Sequence, residues 1–178
     1  MIDDEALIRN AQAGDTRAFE ALLERHYDTL YRFAWKWCGN RVDAQDVTQK
    51  ACLKLASSLG SFRFESAFSS WLYRLVINCA KDWARSERRH DGFYLGECAE
   101  AASDPVAVEH QAYLWQLLHK LDALPEDIKA TLLLVHAEGL THSEAARALD
   151  VKESTVSWRL HEFRKRYSHA LDYGGKRE

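Results

Sequence analysis

The chain has 178 residues, 47% of them apolar and 29% charged, with a formal net charge of −3. That composition excludes a wholly disordered chain and suffices for one ordinary domain or two small ones. No apolar run reaches the roughly 18 residues of a membrane span. The acidic start Met1–Glu5 is unlike a secretory leader, and four cysteines without short paired spacing argue against a disulfide scaffold, so a reduced, cytoplasmic setting is expected.

Taken in chain order, residues 3–13 read as a short helix that Gly14 stops. A second helix is expected from Asp15 to Cys38, where Phe19, Leu22, Leu23, Tyr27, Leu30, Tyr31, Ala34 and Trp37 recur at three- and four-residue spacing. Gly39-Asn40 ends it, both residues tolerating the left-handed conformation of a C-cap. A third helix spans Val42 to Ser58 with Val47, Ala51, Leu55 and Leu59 on one stripe, and Gly60 opens a loop to Ser66. The fourth, Ala67 to Arg89, carries Leu72, Leu75, Val76, Cys79, Ala80 and Trp83 on one side. Arg74, Asn78, Lys81, Arg85 and Arg88 lie on the other, at spacings that set them along one face.

Residues 91–104 have no sustained period and read as a linker. Asp104-Pro105 is a helix start, and that helix carries Val108, Ala112, Trp115, Leu118 and Leu121. Pro125 starts another, which Gly139 ends. Thr141-His142-Ser143-Glu144 is a capping box ahead of a short helix 142–149. After a break at Asp150-Val151 a last helix runs from Glu153 to Leu171, burying Val156, Leu160, Phe163 and Tyr167. No stretch alternates like a strand. The expected fold is all-α: two small helical domains, residues 1–90 and 105–178, joined by a flexible acidic linker at 91–104, the second containing a helix-turn-helix.

Charge is unevenly spread along this frame. Residues 67–90 are net +3 and 128–178 net +2, whereas 91–127 hold one basic group against eight acidic ones. Two weakly basic blocks around an acidic middle suggest separate surfaces for separate partners.

Three constellations carry chemistry. The helix pair 141–171 has the caps and turn of a DNA-reading helix-turn-helix, whose second helix presents Ser154, Trp158, His161 and Lys165 outward, with Arg159, Arg164 and Arg166 beside them within reach of phosphates. The segment 60–89 combines Phe62, Phe64, Phe68, Trp71 and Tyr73 with the cationic stripe of the fourth helix. Rings that stack bases beside cations that follow a backbone suit single-stranded DNA, although Phe68 reads better as core. The third is Asp43-Ala44-Gln45-Asp46-Val47-Thr48-Gln49-Lys50, by itself only a polar helix start with acids favoured by the dipole.

In this order and spacing, these blocks resemble the extracytoplasmic-function (ECF) class of bacterial RNA polymerase sigma factors over about residues 5–170. The matching stretches are Ala11–Asp15 with Ala18-Phe19, Asp43–Gln49, Ser70–Arg74 with Asn78, Leu124-Pro125, Glu138–Thr141, and Thr155-Val156 with Arg159–His161. The resemblance implies a promoter-specificity subunit without catalytic residues, metal or cofactor. Its partners would be core RNA polymerase (the β′ clamp helices and the β flap), promoter DNA and an anti-sigma factor, with no membrane span.

By the same resemblance, Asp43, Asp46, Val47 and Gln49 dock on polymerase. Ser61, Phe62, Phe64, Trp71, Arg74, Asn78, Lys81, Arg85 and Arg88 engage the −10 element, where a base is extruded into the loop at 58–66. Lys152, Ser154, Thr155, Ser157, Trp158, Arg159, His161, Glu162 and Lys165 read the −35 element. Gln45 and Lys50 depart from the usual acids of the docking motif, so a different polymerase affinity is expected. Lys152, Ser157, Trp158 and Glu162 depart from the usual recognition-helix residues, so an unusual −35 preference is expected, with Trp158 against thymine methyls and Glu162 accepting from cytosine N4.

A stand-alone helix-turn-helix regulator is the alternative. It accounts for residues 141–171 but usually needs a dimer, and it leaves the Asp43–Gln49 block and the aromatic–basic helix without a role. A metal enzyme or sensor is disfavoured, because eight histidines and four cysteines occur without a compact pair at zinc-site spacing.

Overall fold

The computed structural model describes residues 3–87 and 124–171. Four helices form the N-terminal unit: α1 (Asp4–Gln12), α2 (Thr16–Cys38), α3 (Arg41–Ser58) and α4 (Phe68–Glu87), with a 3₁₀ turn at Leu59–Ser61 between α3 and α4. The C-terminal unit holds α5 (Glu126–Leu132), which widens into a π turn over Leu133–Ala137, then α6 (His142–Leu149) and α7 (Glu153–Leu171). No strand occurs among the described residues. The expected linker at 91–104, the helix begun by Pro105, and Arg88 lie outside the described residues.

Local chemistry sets the boundaries. The Asp15 carboxylate accepts from the N–H groups of Arg17 and Ala18 and starts α2. Gly39, at φ 75°, ends it, since only a residue without Cβ takes that conformation at no cost. Asn40 then caps α3 by accepting from the Asp43 N–H, so the Gly39-Asn40 pair closes one helix and opens the next. The capping box at α6 is formed on both sides: the Thr141 hydroxyl accepts from the Glu144 N–H, and the Glu144 carboxylate accepts from the Thr141 N–H at 2.9 Å. That contact to the fixed hydroxyl and N–H holds the Glu144 carboxyl below the ordinary range. Asp150 takes φ 58° and makes the sharp break before α7.

α2 packs on α1, α3 and α4 and fills the middle of the N-terminal unit, with Leu22, Leu30, Phe33 and Ala34 inaccessible to solvent. The apolar stripes of α3 and α4 read from the sequence face this core: Val47, Ala51, Leu55, Leu72, Val76, Cys79 and Ala80 are all buried. In the C-terminal unit Leu132, Leu133, Leu134, Ala145, Ala148, Val156 and Leu160 do the same. The two units also meet each other. α6 packs along α4, the π turn lies against α2, and the buried apolar residues of both units form one cluster.

Candidate nucleic-acid and polymerase interface

A cleft of about 350 Å³ opens where the end of α3 and the 3₁₀ turn meet α4. Lys54, Ser57, Ser58 and Ser61 line one side, and Trp71, Arg74, Leu75 and Asn78 line the other. Its chemistry is an indole ring, an amide, hydroxyls and two cations, the set needed to stack and hydrogen-bond a planar heterocycle. The Arg74 Nε is buried and has no acceptor among the described residues, a donor that an incoming acceptor would satisfy.

The loop aromatics divide. Phe62 was expected as a stacking residue for DNA, but it is only 6% exposed and sits in the middle of a ring cluster, 4.9 Å from Phe64, 5.3 Å from Phe68 and 5.4 Å from Trp71 between centroids. Phe62 is therefore core, because the 3₁₀ turn swings its side chain inward under the loop. Phe64 remains half-buried at φ 60°, an uncommon conformation for a bulky residue. Ser61, Trp71, Arg74 and Asn78 come together at the cleft.

Further along α4 the cationic stripe is occupied from within the chain. Arg74 Nη2 donates to the Arg147 carbonyl oxygen at 2.6 Å, Lys81 pairs with Asp127 at 2.5 Å, and Arg85 lies 3.9 Å from Glu126. The Lys81 ammonium, donating directly to it, holds the Asp127 carboxyl below the ordinary range. The buried Glu138 carboxylate accepts from Lys36 Nζ at 2.5 Å and from the Tyr73 hydroxyl at 2.8 Å. Burial, and then the adjacent Glu138, push the Tyr73 hydroxyl far above its usual range, so it stays a donor.

On α3 the polar block is less uniform than its sequence. Val47 is fully buried and reaches no partner, since it belongs to the same stripe as Ala51 and Leu55 that faces α2. Asp43 accepts from the Asn40 amide within the cap, and Asp46 pairs with Lys50 at 2.6 Å. Gln49 is exposed. The sequence reading missed Val42 and Leu53, which are 75% and 66% exposed. With Asp46 and Gln49 they fall at spacings of four, three and four, one face of the helix. Two large apolar side chains off the buried stripe were the available signal.

The second helix of the helix-turn-helix turns Lys152, Ser154, Ser157, Trp158, His161 and Lys165 outward, Trp158 being 59% exposed. Ser157 also bonds the His142 ring at 3.0 Å. Thr155 is half-buried, and Glu162 pairs with Arg166 at 2.6 Å. Arg159 is the exception. It was expected at the DNA face, but its guanidinium folds back to Asp127 at 3.2 Å and its side chain is only 13% exposed.

The sigma-70 region 2 family matches residues 22–90 and the sigma-70 region 4 family matches residues 114–166. The chain is 33% identical over 170 residues to the ECF RNA polymerase sigma factor SigM of Mycobacterium tuberculosis, covering 96% of this chain and 85% of that one. Its fold is similar to that of CnrH solved in complex with the cytosolic domain of CnrY, with a TM-score of 0.71 at 24% identity, covering 96% of this chain and 97% of that one. It is also similar to the sigma factor RpoE solved with the anti-sigma factor NepR from Bartonella quintana, with a TM-score of 0.68 at 21% identity over 88% and 98% of the two chains.

Proposed function

The chain belongs to the ECF RNA polymerase sigma factors, which are transcription initiation factors, and from that premise we propose how its surfaces divide the work. Residues 1–90 dock on core polymerase and capture the −10 element, and residues 105–178 read the −35 element. The protein has no catalytic residue of its own and works in the cytoplasm beside polymerase. No described helix is long and apolar enough to cross a membrane.

The observation that carries this reading is the cleft between the 3₁₀ turn and α4. Trp71 supplies a ring for stacking, Asn78 an amide for a base edge, and the Arg74 Nε a buried donor with no acceptor among the described residues. Stacking of a base on such a ring contributes about 1–3 kcal/mol, enough to offset much of the few kcal/mol that unstacking it from the duplex costs. The outward face of α7 supports −35 reading through Ser154, Ser157, Trp158, His161 and Lys165, with Glu162 at its edge. Arg159 contributes indirectly by fixing α7 to α5.

Docking on the β′ clamp helices is assigned to the α3 face with Val42, Asp46, Gln49 and Leu53. Leu53→Asp with Val42→Asp is expected to leave the helical content and melting temperature unchanged, because neither side chain is buried, yet to lower affinity for core polymerase at least tenfold. Co-elution and competition binding measure it, and unaltered affinity would remove this face from the interface. An anti-sigma partner is inferred because CnrH and RpoE, which share the fold, are solved with protein partners.

Run-off transcription with purified bacterial core polymerase on a library of promoter-like fragments tests the whole reading. New specific transcripts, lost in Asn78→Ala and Arg74→Ala, are expected. No transcript together with no co-elution with core would overturn it and leave a stand-alone helix-turn-helix regulator in its place.

A further inference from the structure

The loop that borders the cleft is held from behind by α1. Gln12 Nε2 donates to the Leu59 carbonyl oxygen at 2.9 Å and to the Phe62 carbonyl oxygen at 2.9 Å, bridging the two ends of the 3₁₀ turn. One turn earlier on the same helix, the Arg9 guanidinium lies over the Phe64 ring, 4.4 Å from its centroid, and is itself oriented by Glu5 at 2.7 Å. Phe64 is the residue at φ 60°. The other side of this turn presents Ser58 and Ser61 to the cleft.

These contacts are not what attaches α1 to the protein. Leu7 and Ile8 are buried against the core and do that, whereas Gln12 and Arg9 are largely solvent-accessible. Beyond α1 itself, the side-chain contacts found for Gln12 and Arg9 go to the loop. A primary amide offers two N–H donors and so can serve two carbonyl groups at once, which a carboxylate cannot. A planar guanidinium over a ring adds a cation–π contact that favours an otherwise costly backbone conformation.

We infer that Gln12 and Arg9 are positioning residues for base capture: α1 sets the height and shape of loop 59–64 over the cleft and thereby how sharply the protein discriminates at the captured −10 base. The inference rests on the cleft being that base's pocket. A loop free to shift would let the Ser61 hydroxyl, which donates to the Ser58 carbonyl oxygen at 2.7 Å, meet several bases equally, so discrimination falls before overall binding does.

The test uses the full chain with core polymerase on templates that differ only at the captured position, with 2-aminopurine beside it reporting extrusion. Gln12→Glu and Arg9→Gln are expected to narrow the ratio between best and worst template by roughly fivefold, the scale of one net hydrogen bond. Arg9→Lys, which keeps a cation over the ring, should retain most of the ratio. Arg9 is a surface residue, so its pair of variants remains informative even should Gln12→Glu fold poorly. An unchanged ratio in folded protein overturns the inference, as does an equal loss on all templates. Asn78→Ala on the same templates separates the two levels. If it narrows the ratio while the α1 variants do not, only the brace is wrong; if it too has no effect, the pocket assignment fails and the brace with it.

Discussion

Replacing Glu138 with lysine is expected to part the C-terminal helices from the N-terminal ones. Glu138 follows the π turn, and its side chain is only 4% exposed while it accepts from Lys36 and Tyr73, both in the other unit. A lysine there sets two ammonium groups against each other beside a hydroxyl that can no longer donate to a carboxylate. Breaking a buried pair by removing one partner costs about 3–5 kcal/mol. Lys36 keeps 26% exposure, so the lower end, about 3 kcal/mol, applies.

The other ion pairs between the units are weaker: Arg74 to Asp150 and Arg85 to Glu126 are long and open to screening, and Asp127 is 55% exposed in its pair with Lys81. A buried polar contact persists, Lys129 Nζ donating to the Trp37 carbonyl oxygen at 2.6 Å. Asp127 titrates below its ordinary 3.8, so its contribution is fully present above that value and is lost as the pH falls through the lower folded value. It therefore holds at neutral pH. Energy transfer between labels on α2 and α6 measures the separation. Because opening releases Arg74, Lys81 and Arg85, affinity of the isolated protein for single-stranded DNA should rise and become more salt-dependent. An unchanged label distance in Glu138→Lys, at unchanged melting temperature, would sink the idea.

Phe62→Ala is expected to act on stability rather than selectively on DNA. The ring contacts Phe64, Phe68 and Trp71 edge-on or tilted, and its removal leaves a cavity among them. Deleting a buried phenylalanine costs about 3–5 kcal/mol, to which edge-to-face pairs contribute about 0.5–1.5 kcal/mol each. Urea denaturation reads it directly. Phe64→Ala, at a half-buried position, should cost far less. Were Phe62 an exposed stacking residue, its removal would weaken promoter binding and leave the urea midpoint where it was, and that result would return it to the DNA face.

These two positions illustrate how much of the site was legible beforehand. The stripe Arg74, Asn78, Lys81 and Arg85 follows from helical spacing alone, and the structure keeps it on one face. That α5 and α6 occupy it does not follow, because Glu126, Asp127 and the Arg147 carbonyl oxygen are tens of residues away and only packing of one unit on the other brings them there. Val47 could have been withheld from the docking surface on sequence grounds, since it shares the stripe of Ala51 and Leu55; the polar block around it obscured that. Val42 and Leu53 stood off the stripe and were readable as exposed apolar residues. Gln12 fell within the matching stretch Ala11–Asp15, but nothing in the sequence pointed it at the loop, its partners being backbone carbonyl groups.

By itself the sequence determined the helices, their ends and the order of the blocks that mark the family. Those properties are local: a 3.6-residue apolar period, Asp15, Asn40 and Thr141 accepting from their own helix starts, Gly39 and Asp150 taking positive φ. Tertiary structure decided which side of a residue meets solvent. Phe62 went inward, Arg159 turned back to Asp127, and the cations of α4 found partners in the other unit. Burial and ion pairing depend on groups distant in the chain, and no period or cap encodes where the fold will bring them.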